Sequence, residues 1–393
     1  MPIAIYALSL AAFAIGTAEF VISGILPDLA ADFAVSIPTA GLLVTAYAAA
    51  VAIGGPILAV LTARLPRKPM IVALLIVFVF GQALCALAPS YGWLMAARVF
   101  VAASHGLFYG IASVAAADLV PANKRGTALA LFLGGITVAN VLGVPAGTAI
   151  GNAFGWRWAF WAVGACGLIA TIGVAWLLPQ GHARHAEGVS VRAELRALAH
   201  QQVYLSYVVI FFIMVGALAF ATYQVPVLMG VTGVPQALTP AYLVTSGIGT
   251  IIGIYCGGRL ADWRLMPSLI GIILIQVLLA AVMLFAMHQA IAMAASMFLS
   301  GALGFAFNSP VQSRILNAAS AAPNLAATLV SSAFNIGIGL GAYVGALWID
   351  HGLGYQTLPV VGIVSSLIAA GIATYSWRLD RRGQALISAV SIT

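Results

Sequence analysis

Apolar stretches of about 20 residues follow one another along the whole chain, each long enough to cross roughly 30 Å of hydrocarbon as a helix. Only 6% of the 393 residues are charged while 63% are hydrophobic; a soluble domain carries roughly 25% charged residues. Too few charges remain to cover a surface against water, so the solvent is lipid. The sequence predicts an all-α membrane protein of twelve transmembrane helices, at 3–26, 38–61, 70–88, 93–117, 126–150, 157–178, 203–229, 238–258, 268–287, 290–313, 325–349 and 355–377. Prolines lie at or near the breaks, among them Pro27, Pro66, Pro89, Pro121, Pro179, Pro240, Pro267 and Pro323. The first run holds Glu19, lacks a basic flank and is too long for a signal-peptide core, so it reads as a retained helix. Cys85, Cys166 and Cys256 each fall in an apolar run without metal-ligand spacing and read as packing residues.

The net charge of +7 is concentrated in short clusters between apolar runs. An even helix count puts both termini on one side. That side collects Arg64, Arg67, Lys68, Lys124, Arg125, Arg259, Arg264, Arg314 and Arg378, whereas the opposite loops hold only Arg157. By the positive-inside rule both termini are cytoplasmic. No basic stripe with interleaved aromatics marks a nucleic-acid surface.

One long connection divides the chain into a bundle at 1–179, a cytoplasmic linker at 180–202 and a second bundle with a short tail at 203–393. Within the linker, Val191 to Leu198 fits a short amphipathic helix on the membrane face. The halves echo each other. Gly143, Gly147 and Gly151 in the fifth helix reappear as Gly337, Gly341 and Gly345 in the eleventh, 194 positions later. Asn140 and Asn335 precede these faces, 195 positions apart. Small residues at this spacing let helices approach closely in lipid. Transporters built from such repeats hold substrate between the halves.

With these residues in view the chain resembles the major facilitator superfamily over nearly its full length. It looks most like the twelve-helix drug–proton antiporter family, in the arabinose-efflux-permease-like branch. The segments that carry this are Gly16-Thr17-Ala18-Glu19-Phe20, the loop Arg64-Leu65-Pro66-Arg67-Lys68, Arg98 with His105-Gly106 and Asp118-x2-Pro121-x3-Arg125, and the fifth-helix glycines with Pro145. The chain departs from the loop pattern at Ala59, Ala63 and Pro66, and Pro145 is displaced from its usual place. The resemblance implies two pseudo-symmetric six-helix bundles. It also implies a cytoplasmic gate of Arg64, Arg67, Lys68, Asp118, Arg125 and Asp262, an ion-pair latch that holds the outward-open state.

Glu19 is the acid firmly inside a helix, and an ionisable group there is a functional hypothesis by default. Arg98 lies at comparable depth, and the resemblance places both helices on the central cavity, within reach of a Glu19–Arg98 pair that protonation would break. His105, seven residues after Arg98, shares its helical face. These three are the proton-coupling candidates. Tyr109, Asn140, Tyr223, Gln224, Asn308, Gln312 and Asn335 are the substrate-cavity candidates. Asp28, Asp32 and Asp350 at outer helix ends read as solvated.

No metal-binding, phosphate-loop or nucleophile motif is present, and no soluble segment is large enough for a nucleotide-binding domain. The chain therefore reads as no enzyme and as needing no cofactor. The expected function is proton-coupled export of a small amphipathic, drug-like or sugar-like compound, with the proton as coupling ion. With Glu19 the one deep acid, a neutral, zwitterionic or singly charged substrate is expected over a multiply cationic one. A uniporter or importer on the same fold is the alternative, and a membrane receptor or intramembrane enzyme a remote one. The expected setting is a monomer in the bacterial inner membrane, with lipid and a small-molecule substrate as its partners.

Overall fold

Lipid offers the backbone no hydrogen bonds, so a chain this apolar pairs its peptide groups internally, and every long element is a helix. The computed structural model describes residues 1–62, 65–180, 201–318 and 323–390, and among these no strand occurs. The helices are α1 (Ile3–Asp32), α2 (Ile37–Thr62), α3 (Arg67–Ala86), α4 (Tyr91–Asp118), α5 (Arg125–Phe154), α6 (Trp156–Leu177) and α7 (Gln201–Gly230). The next segment, Thr239–Ala286, is continuous except at Arg264, whose backbone leaves the helical region (φ −152°, ψ 91°). As one rod its 48 residues would reach about 72 Å, more than twice the hydrocarbon thickness. It is therefore two crossings, α8 (239–263) and α9 (265–286). The set is completed by α10 (Ala290–Ala318), α11 (Pro323–Asp350) and α12 (Leu358–Val390). The expected linker helix, Ala63 and Arg64 lie outside the described residues.

Prolines displace boundaries from their expected places. The first helix does not stop at Pro27 but runs on to Asp32. The carbonyl that the Pro27 ring frees is that of Ser23, a residue on the central cavity, where an unpaired carbonyl is tolerated. Pro267 lies in the first turn of α9, where its missing N–H is no loss, and the break falls three residues earlier at Arg264. In α5 a π-helical turn over Ala139–Gly143 precedes Pro145. The wider turn accommodates the clash between the ring and the carbonyl four residues back. Breaks at Thr222–Tyr223 in α7 and Phe307 in α10 precede Pro226 and Pro310 in the same way.

The glycine faces do the same work in each half. A methyl group at Gly147 would strike Val21 Cγ2 at 2.5 Å, with Gly143 against Thr17 and Gly151 against Ile25. These successive turns of α1 lie directly on α5. In the second half Gly337 meets Met214, Gly341 meets Val215 and Gly345 meets Tyr223, so α11 lies on α7 as α5 lies on α1. Between halves, α2 packs on α11 and α5 on α8. Gly339 faces Thr45 and Ala48 at the first contact, and Gly247 faces Val141 at the second.

Candidate functional site

A cavity of about 1260 Å³ lies between the halves. Its walls come from α1, α2, α4 and α5 on one side and from α7 to α12 on the other; among the described residues α6 contributes none and α3 only Arg67. At one end the lining includes the exposed residues Leu65, Asp118 and Arg125. At the other end the walls meet. There Gln236 Nε2 donates to Asp28 Oδ1 (2.9 Å) and to Asn152 Oδ1 (3.3 Å), while Asn152 Nδ2 donates to the Gln236 carbonyl (3.0 Å). The seal thus ties α1 and α5 to the α7–α8 loop. Asp28 is a member of it rather than a solvated acid. Asp32 is exposed at its helix end as expected, and there it accepts from Trp156 Nε1 (3.0 Å) and pairs with Arg157 (2.8 Å).

On the N-terminal wall, Glu19 is 8% exposed and borders the cavity. Its carboxylate lies 3.9 Å from His105 Nε2, the one ion-pair partner within 4.0 Å among the described residues. His105 Nδ1 shares a hydrogen bond with the Tyr47 hydroxyl (3.0 Å), and the Tyr47 ring carries the Arg98 guanidinium 4.1 Å from its centroid. Arg98 does not pair with the Glu19 carboxylate as expected. Nearly inaccessible, it donates to the backbone carbonyls of Ala18 (2.6 Å) and Glu19 (3.4 Å). The two residues share a depth, since Arg98 reaches the α1 backbone at Glu19 itself, but Arg98 does not line the cavity and its guanidinium rests on the Tyr47 ring. Arg98 therefore positions Glu19 by holding its backbone against α4. Tyr109 borders the cavity beside His105 (ring centroids 5.0 Å) and donates to the Ala12 carbonyl.

Among the described residues the C-terminal wall carries no charged side chain. Gln224, Asn308, Gln312 and Asn335 line it, as does Gln276 of α9, which the sequence did not single out. Tyr223 does not line the cavity. Its ring sits between Gly41 and Gly345, and its hydroxyl donates to the Ala342 carbonyl (3.0 Å). It closes α7 against α2 and α11 instead. Asn140 and Asn335, the paired asparagines, behave identically: each donates Nδ2 to the carbonyl four residues earlier, Ile136 at 3.1 Å and Ser331 at 3.0 Å.

Comparison with known proteins agrees with this architecture. The profile of the Major Facilitator Superfamily matches residues 8–324. The chain belongs to the major facilitator superfamily. Its relatives within this superfamily include the inner membrane transport protein YdhP of Escherichia coli (strain K12), 38% identical over 93% of both chains. Another is a chloramphenicol resistance protein of Streptomyces lividans, 35% identical over 90% of this chain and 91% of that one. A bacterial homologue of the human lysosomal transporter Spinster, solved in an inward-facing, unoccupied conformation, superposes with a TM-score of 0.75 at 19% identity over 95% and 96% of the two chains. That likeness speaks to the major facilitator fold.

At the open end of this major facilitator cavity, Arg67 pairs with Asp118 at 2.5 Å. Both residues belong to the N-terminal half, so the pair is intact while the cavity is open beside it. A latch between halves needs a partner from the other half, and here the pair joins α3 to α4. Arg125 lines the cavity mouth; Lys68 and exposed Asp262 join no ion pair among the described residues. In the C-terminal half Arg314, read from sequence as a loop cation, is nearly buried. It pairs with Asp380 (2.8 Å) and donates to Gln202 Oε1 and Ser376 Oγ (2.6 Å each), fastening α10 to α7 and α12. A tally of positive residues registers its sign and not its burial.

Proposed function

We propose that the protein is a proton-coupled exporter of a small amphipathic compound, working by alternating access in the bacterial inner membrane. The observation that carries this reading is Glu19. It is the one acid among the described residues on the deep cavity wall, beside His105, and it faces the path that cargo would use. The positive-inside rule assigns the open end, with Arg67, Arg125 and both termini, to the cytoplasm. In this state Glu19 exchanges protons with the cytoplasm through the cavity. Once the halves rock, breaking the Asp28–Gln236–Asn152 seal and closing the Arg67–Asp118 mouth, the same carboxylate faces outward. A proton taken up outside and released inside then drives cargo the other way. The rocking bodies are residues 1–179 and 203–393, the protein acts as a monomer, and it needs no cofactor. The relative named for chloramphenicol resistance supports the outward direction, and YdhP supports the inner membrane.

The test is uptake into inside-out vesicles with an imposed pH gradient, across a panel of phenicols, glycosides and lipophilic cations. Acceleration by an acid lumen supports antiport. Flux indifferent to the gradient would assign facilitated diffusion instead.

A further inference from the structure

Arginines at the two ends of the molecule are used differently. At the sealed end Arg157 lies over the Trp156 ring (4.2 Å) and pairs with Asp32, so its charge is matched. At the open end three arginines of the C-terminal half also lie over aromatic rings: Arg259 over Tyr255 (4.5 Å), Arg264 over Trp263 (5.2 Å) and Arg381 over Trp377 (5.7 Å). Among the described residues none of these three has an ion pair or a hydrogen bond. Stacking occupies the flat face of a guanidinium and leaves its in-plane N–H groups free, and that fork is the one that grips a phosphate.

The three pairs gather at one corner. Tyr255, Arg259 and Trp263 recur at every fourth residue and form a stripe along α8, which ends at the break at Arg264. Ser268 Oγ in the first turn of α9 donates to the Leu260 carbonyl (2.9 Å) and holds the break tight. Met266 and Leu269 of α9 share a cleft with Ala373 and Ser376 of α12, which brings Trp377 and Arg381 alongside. Arg378 and Arg382 stand exposed on the same last turns of α12. Two described acids lie among these arginines: Asp262, exposed, and Asp380, already matched by Arg314. None of the stacked residues lines the central cavity. Tyr255 is 59% and Trp263 70% exposed, on the depth where tyrosine and tryptophan meet the headgroups of a bilayer.

We propose that this corner of α8, α9 and α12 binds anionic phospholipid headgroups of the inner leaflet through the guanidinium edges of Arg259, Arg264 and Arg381. Charge complementarity selects the occupant: an excess of unmatched cations meets a net negative headgroup, and the aromatic rings hold those cations at phosphate depth. The N-terminal half offers no such surface at this end, since Arg67 is taken by Asp118 and Arg125 lines the cavity mouth. The choice of leaflet rests on the orientation adopted above by the positive-inside rule; the binding itself does not.

The experiment is native mass spectrometry of the purified full chain in detergent, titrated with dioleoyl phosphatidylglycerol and separately with dioleoyl phosphatidylcholine. The first phosphatidylglycerol is expected to bind about tenfold more tightly than the first phosphatidylcholine. The double substitution Arg264→Gln with Arg381→Gln should bring that preference to within about twofold, with phosphatidylcholine bound as before, which also shows that the variant is folded. Lys68→Gln with Lys124→Gln removes the same charge from the N-terminal half and should leave the preference near that of the wild type. Equal binding of the two lipids by the wild type, a preference that survives the arginine substitutions, or an equal loss in both double variants would overturn the proposal. So would displacement of phosphatidylglycerol by millimolar glycerol 3-phosphate, which would mark a site for soluble phosphate instead. No gradient and no cargo enter these measurements, so their outcome is independent of whether the protein transports with protons.

Discussion

On the N-terminal wall of the cavity a carboxylate, an imidazole, a phenol and a guanidinium stand in sequence through Glu19, His105, Tyr47 and Arg98. On the C-terminal wall the corresponding depth is filled by Gln276, Asn308 and Asn335. The two walls share a repeat. The 195-residue offset of the paired asparagines carries Glu19 to Met214 and His105 to Ser300, both of which line the cavity and neither of which titrates. One half carries titratable groups at these positions, and the described lining of the other carries groups that only donate or accept hydrogen bonds. On the proposed mechanism, substitutions on each wall should separate proton coupling from cargo recognition.

The largest effect is expected where the charged wall is anchored. Arg98→Ala removes a buried cation–π contact and two charge-assisted bonds to the α1 backbone, at about 3 kcal/mol, and should lower the thermal unfolding midpoint in detergent sharply. Arg314→Met breaks the clamp of the neutral half and should destabilise by about 2 kcal/mol. It should leave the pH dependence of transport intact, because Arg314 lies behind its wall. If Arg314→Met abolished coupling, the division of labour between walls would be wrong.

A smaller effect is expected from Tyr47→Phe, which removes one hydrogen bond to His105 worth about 1 kcal/mol. It should change the pH profile of transport and keep cargo affinity within about twofold. A wild-type profile with weakened cargo binding would move Tyr47 to the recognition side. Smallest is the outer seal. Asn152→Ala removes two of its bonds, worth about 1 kcal/mol net, and should shift the population toward the outward-open state by about fivefold. The readout is labelling of a Ser23→Cys reporter by an impermeant thiol reagent from the outer face, with Cys85, Cys166 and Cys256 replaced. Unchanged labelling would show that Asp28, Gln236 and Asn152 do not hold the outer end shut.

The twelve crossings and the paired glycine faces were legible because lipid forces long apolar runs and close helix contacts into a regular pattern. Glu19 was legible for a related reason, since a lone acid in such a run has no structural excuse. Its partner was harder to see. Depth along two helices placed Arg98 beside Glu19, but depth does not fix rotation. The guanidinium goes to the α1 backbone carbonyls, and His105 is the residue within ion-pair distance of the carboxylate. Tyr47 carried no signal, because a tyrosine in an apolar run looks like any other aromatic. Gln276 sits in an unbroken hydrophobic stretch, and Gln236 lies in a short loop; each gains meaning only from a partner far away in sequence. The helix runs past Pro27 because a proline inside a membrane helix is tolerated where the preceding turn, here at Ser23, borders a cavity.

On the proposed mechanism Glu19 couples the proton to the cargo. Its most direct test compares wild type and Glu19→Gln in the same inside-out vesicles, measuring cargo uptake under an imposed pH gradient and cargo binding at equilibrium. Glu19→Gln is expected to lose gradient-driven uptake while still binding cargo. Uptake that still follows the gradient in Glu19→Gln would contradict it.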